Sequence, residues 1–119
     1  MIHGELGRVY NDKEIIFREG DLADAMYVIQ FGQVSITKKT AGGETSIGLL
    51  SPGEIFGEMA LFDKEPRSAT ASASGECRVL KVDRRKFFAL MSRDPTLAFK
   101  ILQSLSQRIR RLNEEMENR

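Results

Sequence analysis

The sequence predicts a mainly β domain closed by C-terminal helices, and three observations carry that prediction. From Val9 to Val82, short apolar pieces alternate with turn residues. Helical periodicity sets in only after Asp83. The chain has 119 residues, enough to bury one core without staples and too few for two. The expectation is therefore a single domain over 1–119, with a small barrel or sandwich over 9–82 and helices over 83–119.

A first strand is expected around Val9. Glu14-Ile15-Ile16-Phe17 runs into Glu19-Gly20-Asp21, and Met26 to Gln30 runs into Phe31-Gly32-Gln33, so two strands are expected to end at glycines that permit positive φ. Val34 to Lys38 and Thr45 to Leu50 flank Ala41-Gly42-Gly43-Glu44, a hairpin signal. Val34, Ile36 and Lys38 alternate with Ser35 and Thr37, which gives that strand one buried and one wet face. After Ser51-Pro52-Gly53, the segment from Glu54 to Phe62 holds enough helix formers for one or two turns. Arg67 to Ser74 is nearly free of large side chains, which suits a place where something packs close to the backbone. Val79, Leu80 and Val82 supply the last strand.

Asp83 can cap a helix carrying Phe87, Phe88, Leu90 and Met91, and Asp94-Pro95 opens a second one. In that second helix Ala98, Leu102, Leu105, Ile109, Leu112 and Met116 recur at heptad a and d spacing. Leu97, Phe99 and Ile101 widen the apolar face near its start; beyond Arg108 the stripe narrows to a and d alone. The first half is read as docking on the barrel and the second as pairing with another copy of the chain. The alternative is a monomer whose helix end frays.

Composition excludes several classes of function. Cys77 is the only cysteine, so no disulfide framework exists, and it reads as a strand residue. His3, the only histidine, reads as a frayed terminal residue, which removes His-built metal sites and a Ser-His-Asp triad. No apolar run approaches the ~20 residues of a membrane span, and no signal segment opens the chain, so a cytoplasmic location is expected. A formal net charge of +1 gives no bulk attraction for nucleic acid. No Walker loop or dinucleotide fingerprint is present, and neither catalysis nor a metal or cofactor is expected.

The sharpest signal is Phe56-Gly57-Glu58-Met59-Ala60-Leu61 followed by Arg67-Ser68-Ala69. This resembles the phosphate-binding cassette of the cyclic nucleotide-binding domain family, which includes the catabolite activator protein, kinase regulatory subunits and cyclic-nucleotide-gated channels. The resemblance extends to Gly20-Asp21, Tyr27, Phe31-Gly32-Gln33-Val34 and Pro52-Gly53, covering roughly residues 9 to 112. It implies a double-stranded β-helix, or jelly-roll, with the cassette over 53–69. It implies that Glu58 holds a ribose 2′-hydroxyl, Arg67 the cyclic phosphate, and Ser68 a phosphate oxygen or the purine. An ungapped count matches Leu112 and Asn113 to positions where dimeric bacterial regulators of the family touch the adenine. Asn113 could pair with an adenine edge, or could simply be solvated beside the seam. Ser68, where cGMP-selective sites often carry Thr, leans toward cAMP.

The residue chemistry agrees. A cyclic phosphodiester is an anion and needs a fixed cation, and a guanidinium presents a planar fork that lysine cannot copy. The segment from Gly53 to Ala69 has a formal charge of −2, so placement rather than bulk charge must hold the ligand. Gly57 lets a partner approach the main chain, and Ala60 and Leu61 would add a backbone N–H and an apolar contact. Glu58 could equally be a helix-terminal acid alone. Removing Arg67 is expected to leave stability almost unchanged.

The expected function is a cyclic nucleotide sensor module for cAMP, or less favourably cGMP, coupled to movement of the C-terminal helices in a homodimer, with no membrane or direct nucleic-acid contact. The alternatives are a dimerisation scaffold with a vestigial pocket, and the sensor half of a transcription regulator lacking its helix-turn-helix part.

Overall fold

The computed structural model describes residues 5–61 and 65–117. In chain order it places β1 (Arg8–Tyr10), β2 (Ile15–Phe17), β3 (Ala25–Thr40), β4 (Gly43–Leu50), β5 (Ile55–Phe56), a 3-10 turn (Glu58–Leu61), β6 (Thr70–Asp83), α1 (Arg84–Arg93) and α2 (Thr96–Glu117). His3, Phe62 and the side chains of Ala60, Leu61 and Met116 lie outside the described residues. The strands form one antiparallel sheet in the order β1-β6-β3-β4, with β2 also on β6 and β5 also on β3. The chain divides between Arg84 and Arg85 into a β unit and a helical unit.

Two strands are far longer than the turn residues suggested. β3 does not end at Gly32 but bulges there, with register shifts on either side of Phe31 and φ of +77° at the glycine. A Cβ at Gly32 would lie 2.3 Å from the Glu76 carbonyl oxygen, so the glycine lets β3 and β6 pass closely rather than stopping β3. β6 likewise runs through the small residues and Gly75 to Asp83. Ala71 and Ala73 are buried, with β2 on one side and β3 on the other, which is the close packing their size allows. A two-residue turn at Ala41-Gly42 closes the β3–β4 hairpin, and a bulge leaves Ile47 unpaired and exposed.

The segment from Glu54 to Phe62 also differs from its helical reading. Ile55 and Phe56 pair with Val28 and Tyr27 as β5, and only Glu58–Leu61 is helical. Both apolar side chains reach the core, and their burial, about 1.5–3 kcal/mol each, outweighs helix propensity in so short a piece. The core gathers Tyr10, Tyr27, Ile29, Val34, Phe56, Cys77 and Val79 around the two alanines, with Phe17 at its margin. Cys77 is fully buried there, as a strand residue. Two backbone bonds fasten the Pro52-Gly53 turn to β3, Gly53 N–H to the Ile29 carbonyl at 2.8 Å and Ile29 N–H to the Glu54 carbonyl at 3.1 Å. The chain thus enters the 3-10 turn from a fixed point.

In the helical unit, the Asp94 carboxylate accepts from the Thr96 N–H at 3.1 Å, so α2 starts where its capping acid predicts. Phe87, Leu90, Leu97 and Ile101 are buried. Phe99 is not on their face, being 62% exposed, because at 100° per residue it sits 200° from Leu97. Leu102, Ile109 and Leu112 are exposed as well, so the uncovered heptad stripe begins before Arg108.

Candidate functional site

The loop between the 3-10 turn and β6 carries Arg67, and the Arg18-to-Asp21 turn fixes its main chain. Arg67 N–H donates to the Asp21 carbonyl and Gly20 N–H to the Arg67 carbonyl, both at 2.8 Å. That turn is tied internally, with Arg18 N–H on the Asp21 carboxylate at 2.9 Å and φ of +91° at Gly20. Thr70, just beyond Arg67, accepts from Glu19 N–H at 2.9 Å. The Gly20-Asp21 pair therefore acts at the site by holding the backbone of the cation.

The Arg67 side chain folds inward and is 7% exposed. Its Nη2 donates to the Ala25 carbonyl at 2.6 Å and its Nη1 to the Gly57 carbonyl at 3.2 Å. Its Cζ lies 4.2 Å from the ring centroid of Phe17 and 5.6 Å from that of Tyr27. Its buried Nε makes no hydrogen bond. Gly57 adopts φ of +72°, and a Cβ there would stand 2.6 Å from Nη1. The close approach that glycine permits is thus made by the protein's own guanidinium.

Glu58 begins the 3-10 turn and is completely buried. Among the described residues, Glu58 and Arg67 are the two charged side chains classed as buried. Burying a charge is costly unless it is compensated, and Arg67 is compensated in part by the Ala25 and Gly57 carbonyls. Burial raises the Tyr27 phenol pKa above its ordinary value, while the Arg67 guanidinium works against that rise. No group of three His, Cys, Asp or Glu among the described residues could hold a metal ion.

The profile of the cyclic nucleotide-binding domain matches residues 7–94. The chain belongs to that family. It is 37% identical over 111 residues to the cyclic AMP receptor protein of Thermus thermophilus, covering 92% of this chain and 51% of that one. The crystal structure of the Thermus thermophilus catabolite activator protein superposes with a TM-score of 0.81 at 37% identity, over 92% of this chain and 52% of that one. The EAL enzyme Bd1971, solved in cGMP-bound and cAMP-bound forms, matches with TM-scores of 0.65 at 32% and 33% identity. Those matches cover 93% and 92% of this chain, and 30% and 29% of the enzyme. The chain spans about half the length of the curated regulators it matches first. The mainly β jelly-roll with C-terminal helices, expected from the sequence, is the fold it shares with these structures.

In this cyclic nucleotide-binding domain, Gly57 and Arg67 meet directly, and Glu58 follows Gly57 in the chain. The Phe56 ring is 3% exposed and stacks on Tyr27 at 5.3 Å, so it anchors β5 and leaves only its main chain to the loop. Met59 and Ser68 are exposed, Ala69 is buried, and Ala60 and Leu61 belong to the 3-10 turn. Asn113 lies in the helical unit, exposed on α2. The sequence reading missed the Ala25 carbonyl and the Phe17 ring as partners of Arg67. A carbonyl is invisible in sequence, and an aromatic at a strand end reads as ordinary core. No helix among the described residues is long and apolar enough to cross a membrane.

Proposed function

We propose that the chain is a sensor module that reversibly binds a cyclic nucleotide, with Arg67 on the cyclic phosphate, Glu58 on the ribose 2′-hydroxyl and Ser68 on a phosphate oxygen or the purine. The observation that carries this is the burial of Glu58 and Arg67 on either side of one loop. A guanidinium has five N–H donors, and Arg67 commits two to carbonyls, which leaves donor capacity for an anion. The names of the related regulators support cAMP as the ligand, and the structures of Bd1971 with either nucleotide keep cGMP in view. No catalysis is proposed.

Binding is read as shifting the helices between two arrangements, which requires only a difference in affinity between them. The exposed stripe of Leu102, Ile109 and Leu112 supports pairing of two copies along α2, and Asn113 beside it could then meet the purine. Parallel calorimetric titration with cAMP and cGMP tests the reading. Saturable binding of at least one supports it, with the tighter ligand naming the preference; absence of binding to both leaves a dimerisation scaffold with a vestigial pocket.

A further inference from the structure

Four groups define where the Arg67 guanidinium sits, two carbonyls that accept from its N–H groups and two aromatic rings, Phe17 and, farther off, Tyr27. The Ala25 and Gly57 carbonyls fix it within its own plane. The Arg67 Cζ lies over the Phe17 ring, 4.2 Å from its centroid. Phe17 is itself held, tilted against Tyr27 at 5.6 Å and Phe56 at 6.0 Å, and its main chain pairs with Ala71 on β6. An aromatic face attracts a cation through its quadrupole, and the attraction strengthens where water is excluded, as it is around this buried arginine.

We infer that Phe17 is a positioning residue for anion binding, whose ring face holds the Arg67 guanidinium and leaves its remaining N–H edge to a phosphodiester. This rests on the assignment of Arg67 to the cyclic phosphate. A further carbonyl or carboxylate in that place would consume a donor or neutralise the charge. The ring attracts the cation and does neither. An aliphatic side chain of similar bulk would fill the space without attracting the cation, so the arginine would be less well oriented when ligand arrives.

The test replaces Phe17 in the full chain with mono-, di- and trifluorophenylalanine, which drain the ring face of negative potential while keeping its shape. Phe17→Leu and Arg67→Gln are prepared alongside. Cyclic AMP is titrated calorimetrically against each, or cGMP if the wild type binds that more tightly, and each is melted without ligand. The expected result is a stepwise loss of affinity with fluorination, reaching roughly three- to tenfold for the trifluoro form, larger than any trend in the melting midpoint. Phe17→Leu should lose at least as much; if it does not fold, the fluorinated series decides alone. Affinity indifferent to fluorination, while Arg67→Gln still weakens binding, overturns the role of Phe17 and leaves the phosphate assignment standing. Arg67→Gln binding as tightly as wild type removes that assignment, and the role of Phe17 falls with it.

Discussion

Arg67 answers to two demands, because the same guanidinium that would meet a phosphate also closes hydrogen bonds for the Ala25 and Gly57 carbonyls. Arg67→Gln should weaken cyclic nucleotide binding by at least ~2 kcal/mol, since it removes a charged hydrogen-bond partner from a desolvated anion. The structure also corrects the expectation that stability stays level. A buried carbonyl left without its donor costs about 1–3 kcal/mol, so the variant should melt measurably lower. Titration checks the first effect and thermal unfolding the second; wild-type affinity in the variant would remove Arg67 from the ligand. Glu58→Gln keeps the shape and removes the charge. It should weaken binding of the ribonucleotide and leave a 2′-deoxy analogue nearly unaffected, because the analogue lacks the hydroxyl that the carboxylate would accept. Equal losses for both would mean that Glu58 shapes the turn and does not read the sugar.

α2 carries apolar side chains that are buried near its start and exposed further along. Leu97 and Ile101 are buried, whereas Leu102 and Ile109, about 80–140° around the helix from them, and Leu112, about three turns beyond Ile101, are exposed. If the exposed stripe pairs with a second copy, Ile109→Asp or Leu112→Asp sets two carboxylates against each other in an apolar layer. Such a pair costs several kcal/mol. Sedimentation should then show a dimer for the wild type and a folded monomer for either variant. A wild type that remains monomeric at micromolar concentration would leave the stripe without this role. Of the strands, β3 and β6 position the site: β3 supplies the Ala25 carbonyl and anchors β5 through Tyr27, and β6 follows directly from the Arg67 loop.

Across the molecule, burial raises the pKa values of Tyr10, Tyr27 and Cys77 above their ordinary values of 10.0, 10.0 and 9.0. In the unfolded chain these groups lose their protons first, so above those values the unfolded state binds fewer protons and stability falls as pH rises. Their contribution is complete below about pH 8 and is lost progressively above it. Urea midpoints from about pH 8 to 11 should be level at first and then decline, with Cys77→Ala delaying the onset toward pH 10. A flat profile through pH 11 would contradict the burial of all three.

Element type was legible in the sequence wherever local rules suffice. Alternation and turn residues marked the β region and Asp94-Pro95 marked the start of α2, because strand period and helix capping are properties of a few neighbouring residues; Phe-Gly-Glu with Arg-Ser-Ala marked the family by resemblance, and the family profile over residues 7–94 agrees. Strand length was not legible at Gly32 or Gly75. A glycine with positive φ ends a strand in one context and bulges within it in another, and the partner strand decides which. Ile55 and Phe56 became a strand for the same kind of reason, since the core drew in side chains that helix propensity would have placed in a turn. The surroundings of Arg67 lay furthest from sequence reasoning. Phe17, Asp21 and Ala25 lie within residues 17–25, Gly57 and Arg67 far along the chain, and only folding puts two carbonyls and an aromatic ring around one cation.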